Sequence, residues 1–337
     1  MRKTLKLSII IPLYNTPKEY FAECLKSIRD QKLPSGTFET IVVNDCSTIN
    51  YDDLFKEYKD LSLSVISPSK NSGPGVCRRL GVERAQGRYV TFMDSDDAFF
   101  DSSSLIRLLT IANKNSLADM VCGRVMEELQ DGTRYYHPFS FIWCFAKLYK
   151  LKFLRDNNIN FNDTRGNEDN SFCTLCSICT DRIVTLDEPV YLWKYQPTSI
   201  TRRNNHEFYF KEFQSYIYNM TWVYYECKKR KIDTKIKCLH HCAAVWIKLY
   251  LHYLEVFQKR NEVEARKIID MANQFYKEVY SKVEDKITRR IFTSAWEVMT
   301  KDATRMMPNI SFPEFVYRAT VNNDEPLSQK YEYISLF

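Results

Sequence analysis

The distribution of glycine and proline constrains the fold of this chain more than any other feature of its sequence. All eight glycines lie between Gly36 and Gly166, and neither glycine nor proline occurs from residue 198 to residue 307. A stretch that lacks both residues cannot supply many tight turns, so helices are expected there. Apolar residues recur in that stretch at the spacing of an amphipathic helix, as at Trp246, Tyr250, Tyr253, Leu254 and Phe257. We therefore predict one domain over residues 1–205 and a helical C-terminal region over residues 206–337.

Residues 1–205 alternate short apolar runs with helical segments. The runs predict strands at Leu7–Leu13, Thr40–Asn44, Ser62–Ser67, Arg88–Met93 and Asp119–Met126. The segments between them predict helices at Pro17–Gln31, Gly75–Gln86 and Ser102–Asn115. Apolar strands separated by helices are typical of a parallel sheet that is covered on both faces. We therefore predict an α/β fold with a Rossmann-like, mostly parallel sheet, followed by an α-helical region.

Composition and charge narrow the class of protein. With 337 residues, of which 45% are hydrophobic, the chain can bury a large core. The net charge of +6 is modest and interspersed, which argues against a dedicated nucleic-acid-binding protein. Eleven cysteines stand in apolar segments, which predicts reduced, buried thiols rather than disulfides. No window approaches the ~18–20 continuous apolar residues of a membrane span, so we expect a cytoplasmic protein.

Polar residues follow each of the first four predicted strands. They are Tyr14-Asn15, Asn44-Asp45, Lys70-Asn71 and Asp94-Ser95-Asp96-Asp97. Any one of these groups could be ordinary turn chemistry. In open α/β sheets, however, ligands bind beyond the carboxyl ends of the strands. The sequence therefore predicts that these residues converge on one ligand site.

The acidic group after the fourth strand indicates a cation site. Asp94, Asp96 and Asp97 would repel one another at a buried strand end unless a positive charge were present. Mg²⁺ or Mn²⁺ would supply it, because hard cations prefer oxygen ligands and are held by one or two carboxylates plus substrate phosphates. The alternative is a helix N-terminus, where acidic residues such as Asp97 and Asp101 are favoured.

Four ordered motifs resemble those of a known family. They are residues 8–15 (SIIIPLYN), 42–48 (VVNDCST), 71–81 (NSGPGVCRRLG) and 87–97 (GRYVTFMDSDD). In residue type, order and spacing they are similar to the motifs of family 2 glycosyltransferases of the bacterial polysaccharide type, over about residues 5 to 203. The resemblance implies a GT-A fold, a nucleotide-diphospho-sugar donor and transfer with inversion at the anomeric carbon.

The resemblance also implies roles for individual residues toward the donor. Those matching the base-binding region are Pro12, Tyr14 and Asp45, and Asp45 would accept a hydrogen bond from a uracil N–H. Those matching positions near the nucleotide are Lys70, Asn71 and Arg78, although Arg78 could instead be an arginine on a solvated helix surface.

The resemblance extends to the glycines of the third motif and to the acidic group. Gly73 and Gly75 would let the backbone approach the nucleotide. Asp96 would be the main metal ligand and Asp94 a second one near the ribose, whereas Asp97 would cap the following helix. The motif departs from the commonest pattern at Asn44, Cys46 and Ile49, which weakens the preference for uracil.

A general base is needed for inverting transfer, because the acceptor hydroxyl must lose its proton. Glu168-Asp169 matches the acidic pair that family members carry after the sheet, and Asp169 matches the proposed base. Without the resemblance, these residues read as acids in the first turn of a helix capped by Asn167.

Two later segments resemble further stretches of bacterial members. They are Trp143–Lys150 and Tyr191–Thr201, and Arg202 and Arg203 would then lie within reach of the diphosphate or be solvated. The cysteines spaced at three residues, Cys173, Cys176 and Cys179, predict core packing rather than a metal centre, because a fourth ligand is not evident.

Three functions stay open at this point. The first is a metal-dependent hexosyltransferase that acts on a glycan or a lipid-linked acceptor. The second is a catalytically silent nucleotide-sugar-binding or scaffold protein. The third, a nucleotidyltransferase, would need a glycine-rich loop after the first strand, where the sequence has Tyr14-Asn-Thr-Pro17. The basic run Lys228–Lys231 would suit peripheral contact with an anionic membrane face or be a solvated turn, and the oligomeric state stays open.

Overall fold

The computed structural model describes residues 5–197, 206–258 and 262–278. The chain divides into two compact units, Met1–Asn219 and Met220–Phe337. The boundary predicted after residue 205 lies at the end of a segment outside the described residues, and it stays a prediction.

The first unit is built from short strands and helices in alternation. The strands are β1 (Leu7–Leu13), β2 (Phe38–Asn44), β3 (Leu63–Ile66), β4 (Tyr89–Phe92), β5 (Ala98–Phe99), β6 (Met120–Glu128), β7 (Arg134–His137), β8 (Lys147–Lys150) and β9 (Ile183–Trp193). The helices are α1 (Lys18–Arg29), α2 (Asp52–Glu57), α3 (Pro74–Arg84), α4 (Ser104–Lys114), α5 (Leu151–Asp156) and α6 (Glu168–Cys179). A 3₁₀ turn at Lys59–Leu61 precedes β3.

The sheet has the strand order β3-β2-β1-β4-β8-β6-β9-β5, with β7 paired to β6. The first four strands are parallel, as predicted. Beyond β4 the sheet is mixed, because β8 runs antiparallel to both β4 and β6 while β9 runs parallel to β6. Ile9, Ile10 and Ile11 of β1 are fully buried. Since successive side chains point to opposite faces, both faces of the sheet are covered at its centre.

Aromatic packing attaches α6 to the sheet near the end of β4. The Phe172 ring stacks on Phe161 at a centroid distance of 4.0 Å and meets Phe92 edge-on at 5.6 Å. Cys173 and Cys176 are buried in the same layer, which confirms the prediction of core packing for these thiols. The N-terminus of α6, with Glu168 and Asp169, is thereby held close to the strand that leads to the acidic group.

The helical region predicted over residues 206–337 is confirmed at three helices, while residues 259–261 and 279–337 lie outside the described residues. The helices are α7 (His206–Lys229), α8 (Ile236–Gln258) and α9 (Glu262–Glu278). No helix among the described residues has the length and apolar character needed to cross a membrane. The eleven cysteines are free; nine are buried, as predicted, whereas Cys46 is exposed and Cys179 is partly buried.

Candidate active site

The carboxyl ends of β1, β2 and β4 emerge at one edge of the sheet. The strands are in register, with Leu13 beside Asn44 and Ile10 beside Phe92. The loops that follow are joined directly, because the hydroxyls of Thr16 and Ser95 lie 2.6 Å apart. The predicted convergence of the strand-end residues is therefore confirmed for these three loops.

Asn15 joins the first loop to the second. It adopts a left-handed conformation, with φ 50°, which Asn tolerates better than most residues. Its side-chain oxygen accepts hydrogen bonds from the amide of Thr48 at 2.8 Å and from the Thr48 hydroxyl at 3.1 Å. Next to this junction Tyr14 is 54% exposed, and Pro12 is partly buried at the end of β1.

Asp45 holds the third loop. Its two carboxylate oxygens accept hydrogen bonds from the amides of Ser72 and Gly73, each at 2.7 Å. The side chain of Asn71 returns a hydrogen bond to the carbonyl of Asp45 at 3.1 Å, while the neighbouring Lys70 is exposed. Asp45 is only 3% exposed, so its first role is to shape the loop, and its role toward a base stays a prediction.

A larger residue than glycine is sterically excluded at Gly75 by contacts that the sequence did not predict. A Cβ atom there would lie 2.6 Å from the carbonyl oxygen of Asn162 and 2.9 Å from Cγ of Glu168. The Asn162 carbonyl and the Glu168 side chain thus approach the backbone at Gly75, while its approach to a nucleotide stays a prediction. Gly73 has φ 89°, a conformation that L side chains rarely adopt, and a Cβ atom there would lie 3.2 Å from Cγ of Arg165. Both glycines thus adapt the third loop to the segment around α6.

Arg78 connects the two acidic groups of the site. Its Nη2 donates to Asp94 at 2.6 Å and its Nη1 donates to Glu168 at 2.7 Å. The side chains of Arg78 and Glu168 are each 6% exposed, and that of Asp94 is 31% exposed. The solvated-surface alternative for Arg78 is therefore wrong, while contact with a nucleotide stays a prediction.

The members of the acidic group after β4 have different surroundings. Burial, and next the charge of Asp94, raise the pKa of Asp96 to about 6. Asp97 is buried and accepts hydrogen bonds from the Tyr191 hydroxyl at 2.7 Å and the Lys194 amide at 2.9 Å. The prediction that Asp97 caps the next helix is wrong, because Asp101 accepts the hydrogen bond from the Ser103 amide just before α4.

Asp169 lies in the first turn of α6, as predicted. Its side chain is half-buried, and one carboxylate oxygen accepts a hydrogen bond from the amide of Asn170 at 2.7 Å. Burial, followed by the charge of Glu168, raises the pKa of Asp169 to about 7. Asn167 makes no side-chain capping hydrogen bond and has φ 58°, so the predicted cap is wrong.

Tyr191 is a residue of this site that sequence reasoning did not identify. Its hydroxyl accepts a hydrogen bond from the amide of Asp94 at 3.1 Å while it donates to Asp97. The one signal for it was its position at the start of the Tyr191–Thr201 segment. Arg202 and Arg203, the basic residues predicted near a diphosphate, lie outside the described residues.

The carboxylates of Asp94 and Asp96 suit a divalent cation that prefers oxygen ligands, such as Mg²⁺ or Mn²⁺. Burial is the larger cause of the raised pKa of Asp96 and the charge of Asp94 is the smaller one, so a bound cation would stabilise the ionised form of Asp96. Within residues 5–197, 206–258 and 262–278, no group of three or more acidic, histidine or cysteine side chains could hold a metal ion by itself. A cation held by these two carboxylates would complete its ligands with phosphate oxygens and water.

Comparison with known proteins gives a consistent result. Residues 8–173 match the model of the family described as Glycosyl transferase family 2. The sequence is 30% identical over 207 residues to poly(ribitol-phosphate) beta-N-acetylglucosaminyltransferase TarS of Staphylococcus aureus, a match that covers 56% of this chain and 35% of that protein. The chain thus spans about a third of the length of that relative.

Solved structures share the fold. The crystal structure of S. aureus TarS 1–349 in complex with UDP-GlcNAc aligns with a TM-score of 0.64 at 20% identity, covering 91% of this chain and 93% of that one. The mannosyltransferase PcManGT from Pyrobaculum calidifontis, in complex with GDP-Man and Mn2+, aligns with a TM-score of 0.51 at 14% identity, covering 89% and 87%. These likenesses confirm the predicted GT-A fold. Residues 8–173, just under half of the chain, are thus similar in sequence to glycosyl transferase family 2, and the described residues share the fold of these solved structures.

Proposed function

We propose that this chain transfers a hexose or an N-acetylhexosamine from a UDP-sugar to a glycan or lipid-linked acceptor, with inversion at the anomeric carbon. In this proposal Asp96 and Asp94 hold Mn²⁺ or Mg²⁺, and Asp169 is the general base with Glu168 beside it. The donor's nucleotide would lie against Pro12, Tyr14, Asp45, Lys70, Asn71 and Arg78.

The observation that carries the proposal is the contact of Arg78 with both Asp94 and Glu168. Through it, the carboxylates proposed to bind the metal, Asp94 and Asp96, are connected to the pair proposed for proton transfer, Glu168-Asp169. A silent binding protein would need the first group and not the second. The UDP-sugar assignment is supported by the UDP-GlcNAc bound to TarS 1–349 and by Asp45, whereas the GDP-Man bound to PcManGT makes GDP-sugars the natural competitor in a test.

The proposed chemistry is a displacement at the anomeric carbon of the donor sugar. The acceptor oxygen forms a bond to the anomeric carbon on the face opposite the diphosphate, the bond from that carbon to the diphosphate oxygen breaks, and the hydroxyl proton passes to Asp169. A base works best when its pKa lies near the working pH, and the pKa of Asp169 is raised to about 7. The bound cation would neutralise charge on the leaving diphosphate. The buried ion pair with Arg78, at 2.7 Å, holds the Glu168 carboxylate in place beside the base.

The proposal is tested by incubating the purified chain with UDP-, GDP- and TDP-sugars and Mn²⁺, with and without acceptors. Poly(ribitol-phosphate), the polymer in the name of TarS, belongs in the acceptor panel beside lipid-linked sugars. We expect a UDP-sugar to be hydrolysed or transferred, with loss of turnover in Asp96→Asn and Asp169→Asn. NMR of the product should show inverted anomeric configuration. Donor binding without turnover under every condition would favour the silent binding protein instead.

A further inference from the structure

A buried network of polar side chains connects helix α7 to the loop that leads into α6. Asn219 of α7 is fully buried. Its side-chain oxygen accepts hydrogen bonds from the side chains of Asn162 at 2.5 Å, Thr164 at 3.0 Å and Ser171 at 3.1 Å. Its side-chain nitrogen donates to the carbonyl of Gly166 at 3.0 Å. One asparagine thus holds both ends of the loop.

The carbonyl of Gly166 is fixed by a second residue of the same helix. The hydroxyl of Ser215 donates to it at 2.7 Å, in addition to the bond from Asn219. Buried polar groups with complete sets of partners are rigid, because breaking any one bond leaves a desolvated donor or acceptor. The peptide after Gly166 therefore has one orientation.

That peptide precedes a residue in the left-handed conformation. Asn167 has φ 58° and ψ 12°, and α6 begins with Glu168 directly after it. A left-handed conformation is uncommon for a residue other than glycine, although Asn adopts it more readily than most. The two donors from α7 hold the carbonyl of Gly166, which belongs to the peptide directly before Asn167. The turn at Asn167 in turn directs Glu168 onto Arg78 and sets the place of Asp169.

We propose that Asn219 and Ser215 are positioning residues for the Glu168–Asp169 pair. The proposal rests on the proposed function, in which Asp169 takes the proton. Both residues lie in the first compact unit, Met1–Asn219, yet beyond residues 8–173 that match the family model. The catalytic unit of this chain thus includes the first part of α7, and the active carboxylates depend on it.

The test uses the full chain with Asn219→Asp, Ser215→Ala and Ser215→Thr. Asn219→Asp keeps the size of the side chain but replaces the donor to Gly166 by an acceptor. Ser215→Ala removes the other donor, and Ser215→Thr restores a hydroxyl. The matched control is Tyr218→Ala, since this tyrosine lies on the same helix and is 62% exposed.

We expect Ser215→Ala and Asn219→Asp to lower kcat by roughly 10- to 100-fold, because small misplacements of a catalytic group cost about that much. The acid limb of the pH profile of kcat should shift in both variants, because the surroundings of Asp169 change. The donor affinity should stay within about twofold, since the residues proposed to bind the donor are untouched. Ser215→Thr should regain most of the activity, and Tyr218→Ala should resemble the wild type.

Two results would overturn the positioning role. One is a folded Ser215→Ala variant with the kcat and pH profile of the wild type. The other is a loss of kcat that tracks the melting temperature across all four variants, with an unchanged pH profile, which indicates a structural role only. A wild-type chain that transfers no sugar from any donor would instead refute the proposed function, so the two failures are distinguishable.

Discussion

Nη1 of Arg78 lies 2.7 Å from Oε1 of Glu168, a residue ninety positions later in the chain. Nη2 of the same guanidinium donates to Asp94. The buried side chain of Arg78 on α3 therefore joins the loop after β4 to the start of α6. Transfer of these charges out of water costs several kcal/mol per ion, and that cost is offset only while all partners are present. The arrangement therefore enforces one relative position of the donor side and the base side of the site.

Arg78→Met should destabilise the fold strongly. The substitution leaves Glu168, whose side chain is 6% exposed, without its countercharge. Breaking a buried pair by removing one partner costs about 3–5 kcal/mol. Urea denaturation, followed by circular dichroism, measures the loss as a lower midpoint at constant slope.

The matched control is Arg79→Met on the same helix. Arg79 pairs with Asp163 at the surface, where the aspartate side chain is 72% exposed. Exposed pairs contribute less than about 1 kcal/mol, so this variant should unfold nearly like the wild type. If both variants lost equal stability, the buried ion pairs of Arg78 would contribute no more to the stability of the fold than the exposed pair of Arg79.

The elements of the sheet follow from local pattern, which is why sequence reasoning identified them. The run of isoleucines in β1 and the positions of α1, α3 and α4 agree with the predicted segments to within a few residues. The strand directions in the mixed half of the sheet, beyond β4, could not be predicted from local pattern. Strand β8 pairs antiparallel with β4, and nothing local to residues 147–150 encodes the direction of a neighbour.

The errors at the site share one physical cause, which is contact between segments far apart in the chain. Asp97 resembles a helix cap from its neighbours, yet its partners are Tyr191 and Lys194. The contact of Gly75 with Asn162 and Glu168 was missed for the same reason, while the role of Gly75 toward a nucleotide stays a prediction. Such partners are chosen by tertiary packing, so residue type and spacing alone cannot reveal them.

Gly75→Ala should impair both stability and turnover. The added Cβ would lie 2.6 Å from the carbonyl oxygen of Asn162, which is backbone and cannot rotate away. Overpacking of this kind costs about 1–3 kcal/mol and would displace Glu168. Thermal denaturation and initial rates of sugar transfer measure the two effects.

Gly132→Ala separates steric contact from backbone strain. Gly132 has φ 79°, but nothing lies within 4 Å of a Cβ added there. That variant should lose about 1–2 kcal/mol through its left-handed backbone and keep normal turnover. Normal turnover in Gly75→Ala would show that the approach of α6 to α3 does not set the active geometry.

The affinity for Mn²⁺ should fall as the pH is lowered through about 6. The pKa of Asp96 is raised to about 6 by burial and by Asp94, and a protonated carboxyl cannot serve as a ligand. Below that pH the proton competes with the cation, so affinity should drop by up to about tenfold per pH unit. Titration calorimetry with Mn²⁺ and UDP between pH 5 and pH 7.5 measures the dependence.

Asp96→Asn should abolish that pH dependence together with most of the affinity. Asp131→Asn serves as the control, because Asp131 stands in an exposed turn between β6 and β7. It should bind Mn²⁺ like the wild type at every pH. A pH dependence that survives in Asp96→Asn would place the metal ligand elsewhere.

Asp169→Asn should lose turnover and gain stability at alkaline pH. The folded-state pKa of Asp169, about 7, lies above the ordinary value of about 3.9, so the folded chain binds more protons than the unfolded chain between those values. This group therefore lowers the stability of the fold as the pH rises through that window. An amide cannot ionise, so the variant should be more stable at pH 8, by up to about 4 kcal/mol, and close to the wild type at pH 4. Turnover of Asp169→Asn should fall by roughly 10²- to 10⁴-fold, and the wild-type kcat profile should have an acid limb near pH 7.

The control is Asp163→Asn, an exposed neighbour, which should change neither the turnover nor the stability at pH 8. Wild-type turnover in Asp169→Asn would exclude this carboxylate as the base, and equal stability at pH 8 would show that its buried charge costs the fold nothing.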